Sequence, residues 1–166
     1  RQDRDIVEIK YIDTEITAYD LMGVDLLIIT ALDGENAFTE DEMVVINNWY
    51  KAGNHILMSS RGDYNHINYA SMNLLLENIS SQMRINDDNV YTTDPEAYQA
   101  WYCLTDNYNT NASVADIFVN VTQSIRLFSP SSLYAIDETN IEWLVKGSEY
   151  FYQEDTNPPP PEVTYT

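Results

Sequence analysis

The stretch that decides the fold reads VDLLIIT at residues 24–30, TEDEMVVINNWYKA at 39–52 and HILMSS at 55–60. The first and last segments are short apolar runs, which are typical of strands buried on both faces of a sheet. The middle segment begins with Thr39 and Glu42, whose spacing is that of a capping box and predicts the start of a helix. Together the segments predict a strand–helix–strand unit, which is parallel and right-handed in nearly all proteins.

The predicted helix has an apolar face and a marked end. Four apolar residues fall at helical spacing and should form its buried stripe: Met43, Ile46, Trp49 and Tyr50. Gly53 follows and can adopt the left-handed conformation that ends a helix. A second helix is predicted over residues 67–81, with a buried face of Met72, Leu75, Leu76 and Ile79.

Further strands are predicted where β-branched and aromatic residues lie between turn signals. They cover residues 6–12, 83–86, 89–91, 124–128, 133–136 and 141–145. The neighbouring segments 83–86 and 89–91 are expected to pair with each other. Segment 117–119 fits either a strand or a helix, and 147–152 is expected to be extended.

The carboxyl-terminal segment differs in composition from the rest of the chain. It contains NPPPP at residues 157–161, which predicts a stiff polyproline spacer. We therefore predict an α/β domain over residues 1–152 and a proline-rich linker or assembly arm over 153–166. The chain begins with Arg1, which favours a processed chain or a piece of a longer protein.

The composition excludes several classes of function. The 166 residues include 27 acidic and 8 basic ones, for a formal net charge of -19, so the surface repels phosphate backbones and predicts no nucleic-acid partner. No run approaches the roughly 20 apolar residues of a membrane span, so no membrane insertion by this segment is expected. The single cysteine excludes an intramolecular disulfide. The acidic surface either attracts cations such as calcium or is simply solvated, as in extracellular or high-salt proteins.

Three Asn-x-Ser/Thr sequences are candidate N-glycosylation sites. Their acceptor residues are Asn78, Asn111 and Asn120. In a chain poor in lysine and rich in asparagine and tyrosine, they favour a secreted glycoprotein. We therefore expect an extracellular or cell-surface location.

The central unit resembles a known superfamily. Residues 24–29, 38–42 and 49–58 follow the order of the class I glutamine-amidotransferase-like superfamily, in particular its noncatalytic branch, the GIFT-like domain of gliding and intraflagellar-transport proteins and of secreted prokaryotic proteins. Further similar segments cover most of the chain from about residue 5 to 152. They are residues 73–77, 84–88, 128–133 and 144–148.

The resemblance implies a flavodoxin-like three-layer α/β/α sandwich with a mostly parallel sheet. The sheet is expected to be incomplete at its ends, because the family has a first strand and helix before the equivalent of residues 6–12 and often a closing strand after the equivalent of Phe151. The missing strands would come from another chain or from segments outside these residues.

Catalytic members of the superfamily carry a cysteine on the sharp turn after a strand. The equivalent turn here reads Ser59, Ser60, Arg61 and Gly62, and we interpret it as a degenerate nucleophile turn. Cys103 lies in an aromatic stretch and is expected to be a buried structural thiol. The only triad-like set, Ser60 with His66 and Asp63, is clustered within a few residues, which argues against a hydrolase. The resemblance and the turn together predict a protein that is not an enzyme.

Two acidic or amide-rich turns are candidate metal sites. They contain Asp87 with Asp88, and Asp106 with Asn109, whose oxygens could bind calcium. The alternative is ordinary turn chemistry, because Asn and Asp favour tight turns. No other cofactor is expected.

The sequence has 13 tyrosines and 3 tryptophans, most of which sit at core spacing. The expected exposed set is Tyr98, Trp101, Tyr102, Tyr108, Tyr150, Tyr152 and Tyr165. The candidate interaction residues among them are Tyr98, Trp101, Tyr102, Tyr150 and Tyr152. Such a set favours protein assembly, including self-association, or stacking on a carbohydrate. The sequence thus predicts a noncatalytic interaction domain of an extracellular surface or filament-forming glycoprotein. The alternative is a carbohydrate- or peptide-binding accessory domain of a secreted hydrolase.

Overall fold

A computed structural model describes residues 8–30, 38–60, 62, 67–113, 115–118, 121 and 123–155. Two helices and eight short strands make up its regular structure. In chain order they are β1 (Leu26–Ile29), α1 (Glu40–Lys51), β2 (His55–Met58), α2 (Ile67–Asn78), β3 (Met83–Ile85), β4 (Asp88–Thr92), β5 (Tyr102–Thr105), β6 (Ile125–Phe128), β7 (Leu133–Ala135) and β8 (Phe151–Asp155). A 3-10 turn at Ala115–Phe118 precedes β6. Neither helix in this part of the chain is long and apolar enough to cross a membrane.

The predicted start of α1 is confirmed. The Thr39 hydroxyl accepts from the Glu42 N–H at 3.2 Å, and the Glu42 carboxylate accepts from the Thr39 N–H at 2.8 Å. The other Glu42 oxygen accepts from the backbone N–H of Ile16 at 2.9 Å. Glu42 is buried as a result, so one side chain both caps the helix and attaches the chain before β1. Gly53 ends the helix with a φ of +99°, as predicted.

The parallel pairing of β1 with β2 is also confirmed, in a register that runs from Leu26 opposite His55 to Ile29 opposite Met58. One face of this pair packs on the two helices. The core consists of Leu21, Leu27, Ile29, Ile46, Trp49, Met72, Leu75, Ile79 and Ile85. Trp49 is buried on the apolar face of α1, as predicted, and donates its indole N–H to the Val24 carbonyl at 3.0 Å. Tyr50, predicted to be buried beside it, is 38% exposed, since the next helical position points about 100° away.

The opposite face of β1 and β2 corrects the prediction of strands buried on both faces. Leu26, Ile28 and Leu57 are 47%, 60% and 54% exposed. Alternate residues of a strand point to opposite faces, and within the described part of the chain the helices cover only one of them. A continuous apolar run therefore did not distinguish a half-covered strand from a fully covered one.

The other pairings are antiparallel, so a single mostly parallel sheet is not what the described residues form. Strand β3 pairs with β7, β4 with β8, and β5 with β6. The prediction that segments 83–86 and 89–91 pair with each other is wrong, because each instead pairs with a distant part of the chain.

Two other predicted strands differ from the structure. Residues 8–12, the described part of the predicted strand 6–12, form no strand. Residues 141–144 also form no strand, and only Val145 makes an isolated bridge, to Tyr108. The side-chain amide of Asn109 donates to the Trp143 carbonyl at 2.9 Å. This bond occupies a backbone acceptor that the hydrogen bonds of a β-ladder would otherwise use.

Strand β8 extends to Asp155, opposite Asp88 of β4, and so runs past the boundary predicted at residue 152. The polyproline segment lies outside the described residues. The division into an α/β domain and a proline-rich arm stays a prediction.

Candidate functional site

The turn after β2 is the place where the resemblance puts a nucleophile. Ser59 continues the strand pairing, since its N–H donates to the Ile29 carbonyl at 2.9 Å. Ser60 follows and is partly buried. Arg61, Asp63 and His66 lie outside the described residues. The histidine that the structure does describe, His55, is exposed at the opposite end of β2, about 10 Å of strand away from the turn.

Gly62 is packed tightly against β4. Its N–H donates to the Ser129 carbonyl at 2.6 Å. A Cβ added at Gly62 would lie 2.8 Å from Asn89 Cγ and 3.0 Å from the Asp88 carbonyl oxygen, and it would overlap the Asn89 amide oxygen. Asn89 is 2% exposed, so its side chain is buried in the protein. The glycine is required here because protein atoms already fill the space in front of the turn.

We expect Gly62→Ala to lower the free energy of unfolding by about 1–3 kcal/mol, the usual cost of overpacking a well-filled site. The measurement is urea denaturation followed by circular dichroism. Asn89→Ala in the same background should recover part of the loss, because it removes the overlapping amide. A double variant as unstable as the sum of the two single variants would contradict the packing that we describe.

Ser129 connects this turn to the neighbouring strands. It has a φ of +46°, in the left-handed region that a non-glycine residue adopts at a cost of about 1–3 kcal/mol. In this conformation its carbonyl accepts from Gly62, and its N–H donates to the Trp101 carbonyl at 2.9 Å. The conformation therefore joins the end of β2 to the segment that precedes β5.

Beside Ser129, a buried polar cluster is built around Asp88, which is 2% exposed. One Asp88 carboxylate oxygen accepts from the Ser132 N–H at 2.8 Å, and the other accepts from the Ser132 hydroxyl. Asn86 is 3% exposed and donates its side-chain amide to the same hydroxyl at 2.7 Å. The carboxylate thus holds the 129–132 loop against β4. It is an acceptor in an internal network and is not directed at solvent.

The candidate calcium residues differ in their hydrogen bonds and in their exposure to solvent. Asp87 accepts a hydrogen bond from Tyr69, and burial, followed by the charge of Asp87 and this bond, raises the pKa of Tyr69. The Asn109 amide donates to the Trp143 carbonyl, and its oxygen accepts from the Asn111 N–H at 3.1 Å. Asp106 is exposed. Among the described residues no group of three or more acidic, His or Cys side chains is placed to hold a metal, and calcium binding stays a prediction.

Cys103 is fully buried, in agreement with the expected structural thiol. Its thiol donates to the Val90 carbonyl, with 3.4 Å between sulfur and oxygen. Burial raises the pKa of the Cys103 thiol to about 11. The thiol is therefore protonated at neutral pH, whereas the reactive form of a cysteine is the thiolate.

The predicted exposed aromatics separate into two groups. Tyr102 contacts the ring of Tyr98 at 6.0 Å between centroids and that of Trp101 at 6.5 Å. It also packs edge-on against Phe128 at 5.2 Å, its partner across the β5–β6 pair. We call Tyr98, Trp101, Tyr102 and Phe128 the aromatic patch. Sequence reasoning missed Phe128, because only the strand register places it opposite Tyr102.

The second group lies on β8. Tyr152 stacks on Tyr91 of β4 with 5.7 Å between centroids, and Tyr150 is 43% exposed just before the strand. The stack on Tyr91 covers one face of the Tyr152 ring. No ring contact of Tyr150 or Tyr152 with the aromatic patch is present in the described part of the chain, so the two groups are separate surface features.

The three glycosylation candidates also differ in their surroundings. Asn111 is exposed in a turn. Asn78 is partly buried at the end of α2, and its side-chain oxygen is enclosed without a hydrogen-bond partner among the described residues. Asn120 lies outside the described residues.

Comparison with known proteins gives a match to the fold alone. No family model matches the chain. No curated protein matches it either. Among solved structures, one titled "mmIFT52 N-terminal domain" superposes with a TM-score of 0.72 at 19% sequence identity, over 87% of this chain. The chain spans 66% of the length of that structure's chain. The described residues therefore share the fold of that domain.

Proposed function

We propose that this chain is a noncatalytic interaction domain of an extracellular surface or filament-forming glycoprotein, and that it associates with other copies of itself. The support begins at the turn after β2. Gly62 and Asn89 fill the space in front of it, and the Asp88 carboxylate is engaged by Ser132. The described thiol, that of Cys103, is buried and protonated. On this proposal an amidotransferase-like fold is kept as a scaffold, and packing occupies the place where the resemblance puts the chemistry.

The observation that carries the proposal is the aromatic patch. Tyr98, Trp101 and Phe128 are 84%, 40% and 61% exposed, yet their rings are ordered around Tyr102. Large rings that are exposed and already held in place lose little conformational entropy on binding, and aromatic residues are enriched at the centres of protein interfaces. The patch therefore has the composition of an interface between proteins.

The charge of the chain sets how this association should depend on salt. Two copies that each carry a formal net charge of -19 repel each other over a Debye length of about 10 Å at 0.1 M salt. In the described part of the chain the only ion pair is that of Lys10 with Asp20. Because most carboxylates there have no cation beside them, added salt should strengthen an association that depends on apolar contact.

The test is sedimentation equilibrium of the protein at low and high sodium chloride. We expect concentration-dependent association that strengthens with salt. The double variant Tyr98→Ser/Phe128→Ser should weaken it by about thirtyfold or more, since the loss of even one interface hot spot costs about 2 kcal/mol. Both side chains are largely exposed, so the fold should be retained, which circular dichroism checks.

A matched double variant removes two tyrosines from elsewhere. Tyr11 and Tyr50 are 89% and 38% exposed, and Tyr11→Ser/Tyr50→Ser should associate like the unchanged protein. If the unchanged protein stays monomeric at all concentrations and salts, self-association is refuted. If both double variants associate equally, the aromatic patch is not the interface.

The second candidate is carbohydrate binding by an accessory domain of a secreted hydrolase. The exposed faces of Tyr98 and Trp101 favour it, because such rings stack on the apolar faces of sugars. A glycan array distinguishes the two functions. Specific binding that is lost in Tyr98→Ser, without association of the protein, would favour this second candidate.

A further inference from the structure

A cleft of about 460 Å³ lies between the turn at residues 107–111 and the segment 141–146. Its wall includes Tyr108, Ile141, Glu142, Trp143 and Lys146, and Asn111 is also part of it. We call it the Asn111 cleft. It lies apart from the turn after β2 and shares no residue with the aromatic patch.

Asn111 is held in a rigid turn at this cleft. Its N–H donates to the Asn109 side-chain oxygen, and the next residue, Ala112, is buried. Ser113, the third residue of the glycosylation sequence, donates both its N–H and its hydroxyl to the Glu142 carboxylate. These bonds lower the pKa of Glu142, with the side-chain bond from Ser113 as the largest cause. The backbone on both sides of Asn111 is thus held by hydrogen bonds, and Asn111 itself lines the cleft.

The wall of the cleft has apolar surface and unused hydrogen-bond donors. Within the described part of the chain, the indole N–H of Trp143 and the ammonium of Lys146 have no acceptor. Tyr108 is different, because its hydroxyl donates to the Gln123 carbonyl at 2.6 Å and its ring packs on Phe118 at 4.8 Å. An aromatic ring beside free donors is complementary to a sugar that carries an acetamido carbonyl and hydroxyl groups.

We propose that Asn111 carries an N-linked glycan and that the first sugar, an N-acetylhexosamine, packs in the Asn111 cleft against Trp143 and Lys146. This inference rests on the extracellular setting of the proposed function. The donor is an oligosaccharide on a polyprenyl diphosphate, and a transferase of the secretory pathway catalyses the step. The Asn111 amide nitrogen forms a bond to the anomeric carbon and loses a proton to a base of that enzyme. The bond from this carbon to the diphosphate breaks, the diphosphate leaves with the electron pair, and nothing is oxidised or reduced.

The same geometry distinguishes Asn111 from Asn78. The side-chain oxygen of Asn78 is enclosed at the end of α2, next to Ile79 of the core. Asn78 is partly buried with this oxygen held in the helix end, whereas Asn111 is exposed in a turn and lines an open cleft. We therefore assign Asn111 as the occupied site of the two.

The experiment is secretion of the full 166-residue chain from a eukaryotic host, followed by mass spectrometry of its glycopeptides. We expect a glycan on Asn111 and none on Asn78. Ser113→Ala should abolish it, and Ser113→Thr, which restores a hydroxyl, should keep it. An unmodified Asn111 overturns the assignment, as does a folded protein with its glycan on Asn78.

Hydrogen exchange then tests where the sugar lies. The glycan is trimmed enzymatically to its first N-acetylglucosamine, and the protein is compared with Asn111→Gln. Amides of residues 141–146 should exchange about threefold to tenfold more slowly with the sugar present, the effect expected of one aromatic contact. Trp143→Ala, or Trp143→Phe if the first variant does not fold, should remove the difference. Equal exchange with and without the sugar overturns the packing in the cleft.

The outcomes for glycan and for assembly are separable. Asn111→Gln protein keeps the whole aromatic patch, so its sedimentation tests the proposed function without any sugar. One combination of results is that Asn111→Gln protein associates while Asn111 of the unchanged chain is found unmodified. It would refute glycosylation at Asn111 and leave the assembly proposal standing. If Asn111 carries a glycan and the amides of residues 141–146 are protected, but the chain never associates, the glycan proposal stands and the assembly proposal is refuted.

Discussion

Leu75→Ala is expected to lower the free energy of unfolding by about 3–5 kcal/mol, the upper part of the range for Leu→Ala in a packed core. Leu75 is fully buried on α2 in the same cluster as Ile29, Ile46 and Met72. Removing its isobutyl group forfeits the burial of apolar surface and leaves a cavity between α2 and the β1–β2 pair. A domain of this size has about 5–15 kcal/mol of total stability, so the loss is a large fraction of it. Urea denaturation followed by circular dichroism measures it.

The neighbouring leucine is a matched control. Leu74 lies on the same helix and is 54% exposed. Leu74→Ala makes the same chemical change and the same gain in helix propensity, so it should change stability by about 0.5 kcal/mol or less. Equal losses in the two variants would mean that α2 packs through a different face. A loss in Leu74→Ala alone would place the core on the opposite side of the helix.

The central unit was predictable from sequence because its signals are local. The capping box of Thr39 and Glu42 spans a single turn, and the apolar runs of β1 and β2 lie within a few residues of α1. The structure adds two features that residue spacing does not predict. They are the hydrogen bond from the Ile16 N–H to the Glu42 carboxylate and the solvent exposure of Leu26 and Ile28 on one face of β1. Whether the second face of a strand is buried depends on which other segment packs on it, and the residues of the strand alone do not predict that.

The remaining strands were less predictable because their partners are distant in the chain. Met83 lies opposite Ala135, and Thr92 lies opposite Phe151. Short segments of three to five residues carry no information on which of several such segments they join. The resemblance implied an α/β fold, and the chain shares its fold with a solved α/β domain. The mostly parallel sheet that it also implied is not formed by the described residues, and the mixture of parallel and antiparallel pairs came only from the structure.

The candidate site shows the same division. From the sequence we predicted a turn after β2 that lacks a nucleophile. The sequence could not show that Gly62 is pressed against Asn89, because Gly62 follows β2 and Asn89 lies on β4, in a distant part of the chain. The only sequence signal for this contact was Gly62 itself, and a glycine is equally expected in an ordinary polar turn. Likewise, an Asp-Asp pair in a turn predicts a metal ligand as readily as a hydrogen-bond acceptor.

Asp88→Ala separates those two roles and should be the most destabilising polar substitution in the chain, with a loss of about 3–5 kcal/mol. The carboxylate makes two hydrogen bonds to Ser132 in a buried setting, and bonds to a charged group contribute about 1.5–3 kcal/mol each. Alanine would also leave the Ser132 N–H without this acceptor, so the 129–132 loop would loosen from β4. Thermal and urea unfolding, each measured with and without added calcium, give the loss.

Asp106→Ala is the matched control, because Asp106 was an equal candidate for calcium but is exposed. It should change stability by no more than about 0.5 kcal/mol. If Asp88 acts as an internal acceptor, calcium leaves the unfolding midpoint of the unchanged protein where it was, and only Asp88→Ala is impaired. If either turn binds calcium, calcium raises that midpoint by mass action and the variant at that turn loses the gain. With both Asp88 oxygens already accepting from Ser132, a bound cation would have to displace these bonds before it gained a ligand, so we expect the first result.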